Sequence, residues 1–322
     1  MSVHVNDANA YEDLLSEWSD LESGLSVILT NPTNTQEFAH RVVQYDRWMQ
    51  GLLQRDPDVG LYLLFQLAGN SPVGYSASHS LVCAVLCHLV TSELNIAGKE
   101  RDSLVRAALT MNVAMTSMQD ALAGQAEKPT PDQQDAIRTH TIRGAMLLSR
   151  MGVLDDTWLD IVSSHHNDAV DAGALRDVPA ASRLARILKM VDRYAAMISP
   201  RMSRAGRSAT ESARAILAQS SAKSDEIGHA MVRAVGLCPP GTYVRLDNDE
   251  VAVVVRRSTT ANMPYVAIVS KSNGEPLGVP RLHATDHSAP RIRAALTAST
   301  VRMRLNHFQI LQLGAYQVQH PA

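Results

Sequence analysis

Residues 130–150, TPDQQDAIRTHTIRGAMLLSR, begin with a helix-capping pattern and continue with the periodicity of an amphipathic helix. Thr130 is followed by proline at the first helical position and by Gln133 three residues later, which is the signature of a capped helix start. Apolar residues then recur at helical spacing as far as Gly152, a residue type common just after a helix end. The stretch predicts a helix that runs from 131 to about 151.

The same spacing of apolar residues recurs on both sides of this segment. It predicts further helices at residues 10–29, 35–55, 58–68, 78–94, 99–122, 156–166, 180–198, 210–219 and 225–235, with 99–122 either one long helix or a pair. Turn-forming residues separate these helices, including a loop at 69–74 and a polar insert at 167–177. We therefore expect a mainly α-helical fold.

The periodicity changes after the prolines at 239 and 240. Short β-branched runs predict strands at 243–246, 251–256, 265–269 and 276–279, and the turn Asp247-Asn248-Asp249 predicts a hairpin between the first two. From 289 to about 313 the pattern is helical again. These changes divide the chain into an N-terminal helical segment (1–60), a helical domain (61–236), a small β module (237–285) and a C-terminal helical tail (286–322).

Charge and composition argue against several classes of function. The chain has 30 Lys and Arg against 32 Asp and Glu, so its formal net charge of -2 supplies no positive field for a nucleic-acid polymer. No apolar run approaches the roughly 20 residues that span a bilayer, and the first residues resemble no signal peptide. We expect a cytoplasmic protein without membrane insertion. Cys83, Cys87 and Cys238 lack CxxC spacing and are expected to be buried thiols.

Four histidines on the helical segments, His79, His140, His165 and His166, are candidate metal ligands. A divalent cation that activates water is typically bound by neutral imidazoles and a carboxylate from different helices. Asp192 supplies a carboxylate within an apolar run, where an unpaired charge is costly, so we expect it to have a partner. The alternative is that each histidine is an ordinary core or surface group.

The order of these motifs resembles the HD-GYP branch of the HD-domain metal-dependent phosphohydrolases. The resemblance covers about residues 61–236 and rests on His79-Ser80, Ala107-Ala108-Leu109, His140 with Gly144, His165-His166, and Leu184-Ala185-Arg186-Ile187 leading to Asp192. It implies an HD-domain helical bundle, hydrolysis of cyclic di-GMP, and a metal site built from the four histidines and Asp192. Arg201 and Arg204 match a family segment whose guanidinium groups contact the phosphates.

The chain departs from that family at the defining positions. Where family members carry His-Asp and then a lysine, this chain has Met111, Asn112 and Met115. An amide oxygen is a poor bridge between two hard cations, and a thioether is a soft ligand in place of imidazole. Tyr75 stands where members often have an acid, and the Gly-Tyr-Pro signature is absent from residues 167–175. Together these losses are expected to abolish a two-metal mechanism.

The remaining His140, His165 and His166 are compatible with one divalent cation, Fe, Mn or Zn, or with histidines that bond one another and bind no metal. We therefore expect a catalytically impaired HD-GYP-like protein, a pseudoenzyme of bacterial signalling that binds cyclic di-GMP or a signalling protein. A homodimer is compatible with this role. One alternative is an active metal-dependent phosphodiesterase with an altered, reduced site. Another is an interaction protein whose inherited site residues bind no ligand.

Overall fold

The computed structural model describes residues 4–67, 74–167, 174–219, 226–260, 262–286, 289–301 and 303–319. Within these ranges the protein is mainly helical and carries a small C-terminal antiparallel sheet, as expected. The helices are α1 (His4–Thr30), α2 (Phe38–Arg55), α3 (Pro57–Leu67), α4 (Tyr75–Glu93), α5 (Gly98–Thr110), α6 (Thr116–Ala123), α7 (Pro131–Arg150), α8 (Asp156–Ser164), α9 (Ala180–Ile198), α10 (Ala209–Gln219), α11 (Glu226–Val235) and α12 (His307–Gln319). None of these helices is long and apolar enough to cross a bilayer. Most of the loop expected at 69–74, and part of the insert expected at 167–177, lie outside the described residues.

Helix α4 lies at the centre of the helical part. Fourteen of its nineteen residues are buried, so it has no solvent-facing side over most of its length. Its many Ala, Ser and Cys side chains are small, which lets α1, α5, α6, α9 and α11 pack around it. Cys83 and Cys87 on this helix are buried thiols, as expected. Cys238 is only half-buried, because it follows α11 in the connection to the sheet.

The segment expected at 99–122 forms a pair of helices. Helix α5 ends at Thr110 and α6 begins at Thr116. In the turn between them, the backbone N–H of Met115 donates to the carbonyl of Asn112 at 2.8 Å. This break places Met111 and Asn112 in a buried turn instead of on a helix face.

The sheet has the strand order β4-β3-β2-β1-β5, and every neighbouring pair is antiparallel. Its strands are β1 (Tyr243–Leu246), β2 (Val251–Arg256), β3 (Tyr265–Ser270), β4 (Pro276–Ala284) and β5 (Ile292–Leu296). The predicted hairpin between β1 and β2 is present, with Tyr243 opposite Val253.

The expectation of a helix from 289 onward is wrong for the first part of the tail. Residues 292–296 form strand β5, which pairs with β1, and the helix begins only at His307. The sequence Ile-Arg-Ala-Ala-Leu favours a helix locally, but the free edge of β1 satisfies its backbone groups in a strand. Tertiary pairing has overridden local propensity here.

The sheet docks on helix α3 through a glycine. Gly241 has φ +87°, and a Cβ there would lie 2.5 Å from the Tyr62 carbonyl oxygen and 2.8 Å from the Phe65 Cβ. The Gln66 side chain donates to the Gly241 carbonyl. Only a residue without a side chain allows this approach of the two backbones.

An ion-pair clasp joins the end of β2 to the start of α3. It consists of Arg256 and Arg257 with Asp56 and Asp58. Arg257 Nε donates to Asp58 at 2.5 Å, and Arg256 contacts both Asp58 and Asp56. The Arg257 guanidinium also donates to the Ala234 carbonyl at the end of α11. The clasp therefore joins α3, α11 and the sheet.

Candidate metal and ligand site

Four helices bring the predicted site residues together. His79 comes from α4, His140 from α7 and Asp192 from α9, while His165 and His166 directly follow the last turn of α8. Helix α7 is held at its start by the predicted capping box, in which Thr130 accepts from the Gln133 N–H and Gln133 accepts from the Thr130 N–H. The candidate ligands thus come from helices that are far apart in the sequence, and the packing of these helices sets the positions of the ligands.

His140, His165 and His166 form a three-histidine cluster. One nitrogen from each ring lies within 4.8 Å of the others, and the ring centroids of His165 and His166 are 4.2 Å apart. His140 and His165 are buried, whereas His166 is exposed. Three imidazoles at this separation match the ligand set of a three-histidine cation site with an open position toward solvent.

Hydrogen bonds to the backbone fix the tautomer of two of these rings. The Nδ1 atom of His140 donates to the Ile137 carbonyl at 2.6 Å, and Nδ1 of His165 donates to the Val162 carbonyl at 2.8 Å. Each Nε2 therefore carries a lone pair, and both Nε2 atoms are buried without a hydrogen-bond partner among the described residues. A histidine whose other nitrogen donates to a carbonyl has the arrangement of a metal ligand.

Burial also keeps these two rings uncharged. Desolvation, with a smaller contribution from the neighbouring His166, lowers the pKa of His165 to about 3 against the opposing effect of Asp192. Desolvation likewise lowers the pKa of His140. Both rings are neutral at physiological pH, which is the form that binds a cation.

Asp192 has the partner that the sequence predicted, because His79 contacts its carboxylate. Asp192 lies between the three-histidine cluster and a second group of candidate ligands, to which His79 belongs. Its Oδ1 is 2.8 Å from His79 Nε2, and its Oδ2 is 4.0 Å from His166 Nε2. Burial alone would raise the pKa of Asp192, but the hydrogen bond from His79 and the nearby His165 and His166 lower it to about 2. The carboxylate is therefore ionised and faces histidines on two sides.

Cys83 completes this second group and was not recognised from the sequence. Its Sγ lies 3.7 Å from His79 Nε2, and the three ligand atoms of His79, Cys83 and Asp192 lie within 4.8 Å of one another. The available signal was the spacing of Cys83 four residues after His79, which puts both side chains on one face of a helix. Buried cysteines are common, so that spacing alone was not decisive.

The structure places the Arg201 side chain against the site residue Tyr75. Arg201 Nη2 donates to the Tyr75 hydroxyl at 2.8 Å, its guanidinium carbon is 4.7 Å from the Tyr75 ring centroid, and its buried Nε has no partner among the described residues. Tyr75 in turn stacks on His79 at 5.4 Å. Arg204 is exposed and donates to the Ala196 backbone carbonyl on α9.

Met111, Asn112 and Met115 lie in the turn between α5 and α6. Met111 is fully buried and Asn112 nearly so. Helix α7 passes close to this turn, because a Cβ on Gly144 would lie 3.6 Å from the Met111 carbonyl oxygen. The turn offers a thioether and an amide to its surroundings, and neither carries a charge.

An open pocket of about 480 Å³ lies on the solvent side of the three-histidine cluster. It is lined by Ile137, Arg138, His140, Thr141, Ser163, His166 and Asn167. The pocket gives a small ligand access to His140 and His166.

The resemblance to HD-domain proteins implies a divalent metal, and the residues present fit one cation in the three-histidine cluster. The orphaned Nε2 atoms of His140 and His165 supply two ligand atoms, and His166 supplies a third. They do not fit a pair of cations bridged from the turn at 111–112, because Asn112 has only a neutral carbonyl oxygen to share.

Comparisons with known proteins identify the family of the helical part of the chain. Residues 63–226, just over half of the chain, match the HD domain family. A cyclic di-GMP phosphodiesterase of Pseudomonas aeruginosa is 26% identical over 192 residues, which cover 57% of this chain and 45% of that relative. The match thus spans less than half of the relative, and no solved structure matches. With its helical bundle and its histidine and aspartate groups, the chain belongs to the HD domain family as an HD-GYP-like member.

Proposed function

We propose that this protein acts in bacterial cyclic di-GMP signalling by binding the nucleotide or a protein partner, and that it hydrolyses cyclic di-GMP poorly or not at all. The similarity to a cyclic di-GMP phosphodiesterase supports the ligand class. The observation that carries the proposal is the chemistry of the buried turn at Met111 and Asn112, beside an otherwise ligand-rich site.

Loss of turnover follows from the charges that two-metal catalysis requires. Two divalent cations bring four positive charges close together, and a bridging carboxylate normally offsets part of that repulsion. Asn112 is neutral and Met111 is a soft thioether, so this turn stabilises neither cation well. Met115 likewise cannot neutralise a phosphate as a lysine does.

His140, His165 and His166 would hold a single Fe, Mn or Zn ion in this proposal. Such an ion supplies Lewis-acid polarisation of a phosphate oxygen or of a water molecule. The chain's own contribution is to hold three neutral imidazoles in place through the Ile137 and Val162 carbonyls.

Arg201 is the residue that we assign to a ligand phosphate. Its guanidinium is held by Tyr75 on one side, and its Nε is buried without a partner among the described residues. A charged donor that lacks an acceptor is costly, and a phosphate oxygen would satisfy it. Arg204 is a second candidate through the guanidinium nitrogens that do not contact the Ala196 carbonyl.

The alternative is an active metal-dependent phosphodiesterase with a reduced site. The open pocket beside His140 and His166 favours it, because a substrate phosphate would have access to a cation bound there. The two functions differ in turnover and not in ligand.

The deciding experiment incubates the purified protein with cyclic di-GMP and excess Mn²⁺ or Fe²⁺ and separates the products by chromatography. We expect the nucleotide to be recovered intact and to bind in calorimetry. Linear product formation that His165→Ala abolishes would overturn the proposal in favour of the active phosphodiesterase.

The role of Arg201 is tested by the same calorimetry. Arg201→Ala removes a charge-assisted hydrogen bond, so we expect cyclic di-GMP to bind about 10- to 100-fold more weakly. Arg281→Ala on β4 is the matched control, since that arginine pairs with Glu250 on the sheet. Equal affinities for both variants would remove Arg201 from the ligand site.

A gain-of-function variant tests the cause of the lost turnover. Met111→His, Asn112→Asp and Met115→Lys together restore a bridging carboxylate, an imidazole and a phosphate-binding cation. Turnover in this triple variant would locate the impairment in the turn, and continued inactivity would place it in residues outside the turn.

A further inference from the structure

A second set of metal-ligand atoms lies on the other side of Asp192 from the three-histidine cluster. Cys83 Sγ is 3.7 Å and Asp192 Oδ1 is 2.8 Å from the same atom, His79 Nε2. Cys83 and His79 are one helical turn apart on α4, and Asp192 reaches them from α9. The group is buried except for the partly exposed carboxylate.

The separations suit tetrahedral coordination. With usual zinc bond lengths, a tetrahedral site separates a thiolate sulfur from an imidazole nitrogen by about 3.6 Å, and that nitrogen from a carboxylate oxygen by about 3.4 Å. The sulfur to nitrogen distance already agrees with this value. The nitrogen to oxygen pair has to open by roughly half an ångström, which a rotation of the Asp192 carboxylate can supply.

We propose that the thiolate of Cys83 joins His79 and Asp192, two residues that the family resemblance already implies as metal ligands, in a site for a divalent cation of the zinc type beside the three-histidine cluster. This goes beyond the proposed function, because it concerns a sulfur ligand and does not depend on nucleotide binding. Sulfur is a soft ligand, so the site favours Zn²⁺ over Mn²⁺ or Mg²⁺.

Cation binding at this site releases a proton. Without a cation the thiol is neutral, because burial and the nearby Asp192 raise the pKa of Cys83 well above its ordinary value. On binding, the S–H bond breaks, a sulfur to metal bond forms, and that proton leaves to solvent. His79 Nε2 also gives up the proton that it donates to Asp192, and the neutral ring then carries its one proton on Nδ1, which has no other partner among the described residues. The site gains two positive charges with the cation and loses one with the proton, so its net charge rises by one.

The same geometry argues against a nucleophilic role for Cys83. A cysteine that is activated by a histidine and an aspartate has these partners on different ring nitrogens, so that a proton can pass through the ring. Here the Cys83 sulfur and the Asp192 oxygen both approach Nε2 of His79. Two groups at the same ring nitrogen have no path for a proton through the ring, whereas all three ligand atoms lie within 4.8 Å of one another, near enough to share one cation.

Cobalt is the probe for this site, since Co²⁺ bound to a thiolate absorbs in the near ultraviolet. We expect the full-length protein to develop this absorption with Co²⁺ and to lose it in Cys83→Ser. Cys87→Ser is the matched control, because Cys87 is a fully buried thiol one turn further along the same helix. A double His165→Ala, His166→Ala variant should keep the band, which separates this site from the three-histidine cluster.

Three results would overturn the proposal: no cobalt binding, cobalt binding without the sulfur band, or a band that survives in Cys83→Ser. Should Cys83→Ser fail to fold, X-ray absorption of zinc-loaded Cys87→Ser protein decides, because a zinc thiolate gives a sulfur shell at about 2.3 Å. Absence of that shell rules the site out. Failure of cyclic di-GMP binding in the unmodified protein would instead count against the proposed function alone.

Discussion

At the scale of single residues, the buried histidines show how burial and backbone contacts prepare a ligand atom. His165 is buried against the cluster, and its Nδ1 donates to Val162. Desolvation disfavours the charged ring, and the carbonyl fixes which nitrogen is free. The ring is therefore held in the neutral form that binds a cation. This has a cost in folding free energy at low pH, where the unfolded chain gains a proton that the folded protein excludes.

This cost predicts a pH dependence of stability in metal-free protein. The pKa of His165 is about 3 in the folded state and near 6.5 when unfolded, so between these values the unfolded chain binds more protons and stability falls as the pH is lowered. From pH 7 to pH 5 this residue alone should lower the free energy of unfolding by about 2 kcal/mol. Denaturant unfolding of chelator-treated protein at the two pH values measures it.

His165→Gln should remove most of this pH dependence. His40→Gln is the control, because His40 is exposed on α2. If both variants keep the pH dependence of the unmodified protein, the assignment of the acid sensitivity to His165 is wrong.

At the scale of elements, α7 is the helix whose start the sequence predicted in most detail. The capping box at Thr130 and Gln133 is present as predicted, with the Gln133 side chain 2.9 Å from the Thr130 N–H. Such caps act on the first turn, and His140 lies more than two turns further along. The cap therefore contributes to stability and leaves the ligand geometry to packing.

Thr130→Ala should lower the free energy of unfolding by about 1 kcal/mol, because it leaves N-terminal N–H groups of α7 without an acceptor. Thr139→Ala is the matched control, since Thr139 only donates to the Asp135 carbonyl within the same helix, and it should be nearly neutral. Urea unfolding of the two variants provides the comparison. Equal losses would show that the cap has no special weight.

At the scale of the whole molecule, the sheet is joined to the helices by a close backbone approach and an ion-pair clasp. Gly241 lies against Tyr62, and Arg257 reaches Asp58. Burial raises the pKa of Asp58 despite the nearby Arg257 and Arg256. The clasp therefore fixes the position of the sheet more than it adds stability.

Gly241→Ala should destabilise the protein by about 2–4 kcal/mol, because it combines a positive φ with a contact between a Cβ and the Tyr62 carbonyl. Gly274→Ala is the control in the β3–β4 turn. It has φ +84° but nothing within 4 Å, so it should cost only about 1 kcal/mol. A shift in the unfolding midpoint that is equal for both would contradict the docking role of Gly241.

Arg257→Met should destabilise the protein by about 3 kcal/mol, because it leaves Asp58 buried with a weaker partner. Adding Asp58→Asn should recover part of the loss, since the uncompensated charge is then removed. Arg281→Met, in an exposed pair with Glu250, should cost less than about 1 kcal/mol. A double variant that is no more stable than Arg257→Met would argue against buried charge as the cause.

The sequence by itself determined the helical fold class, the β1–β2 hairpin, and a partner for Asp192, because these follow from local periodicity, turn residues and the cost of an unpaired charge. The order of His79, His140, His165-His166 and Asp192 was enough to indicate the family, and residues 63–226 match it.

Only the tertiary structure decided which side chains meet. His79 and Asp192 are 113 residues apart, and no local pattern shows that the same carboxylate also faces His166, or that Cys83 joins His79. Strand β5 shows the same effect, because pairing with β1 overrides a helix-favouring sequence. Contacts of this kind depend on how distant elements pack, and packing is set by the whole chain and not by neighbours in sequence.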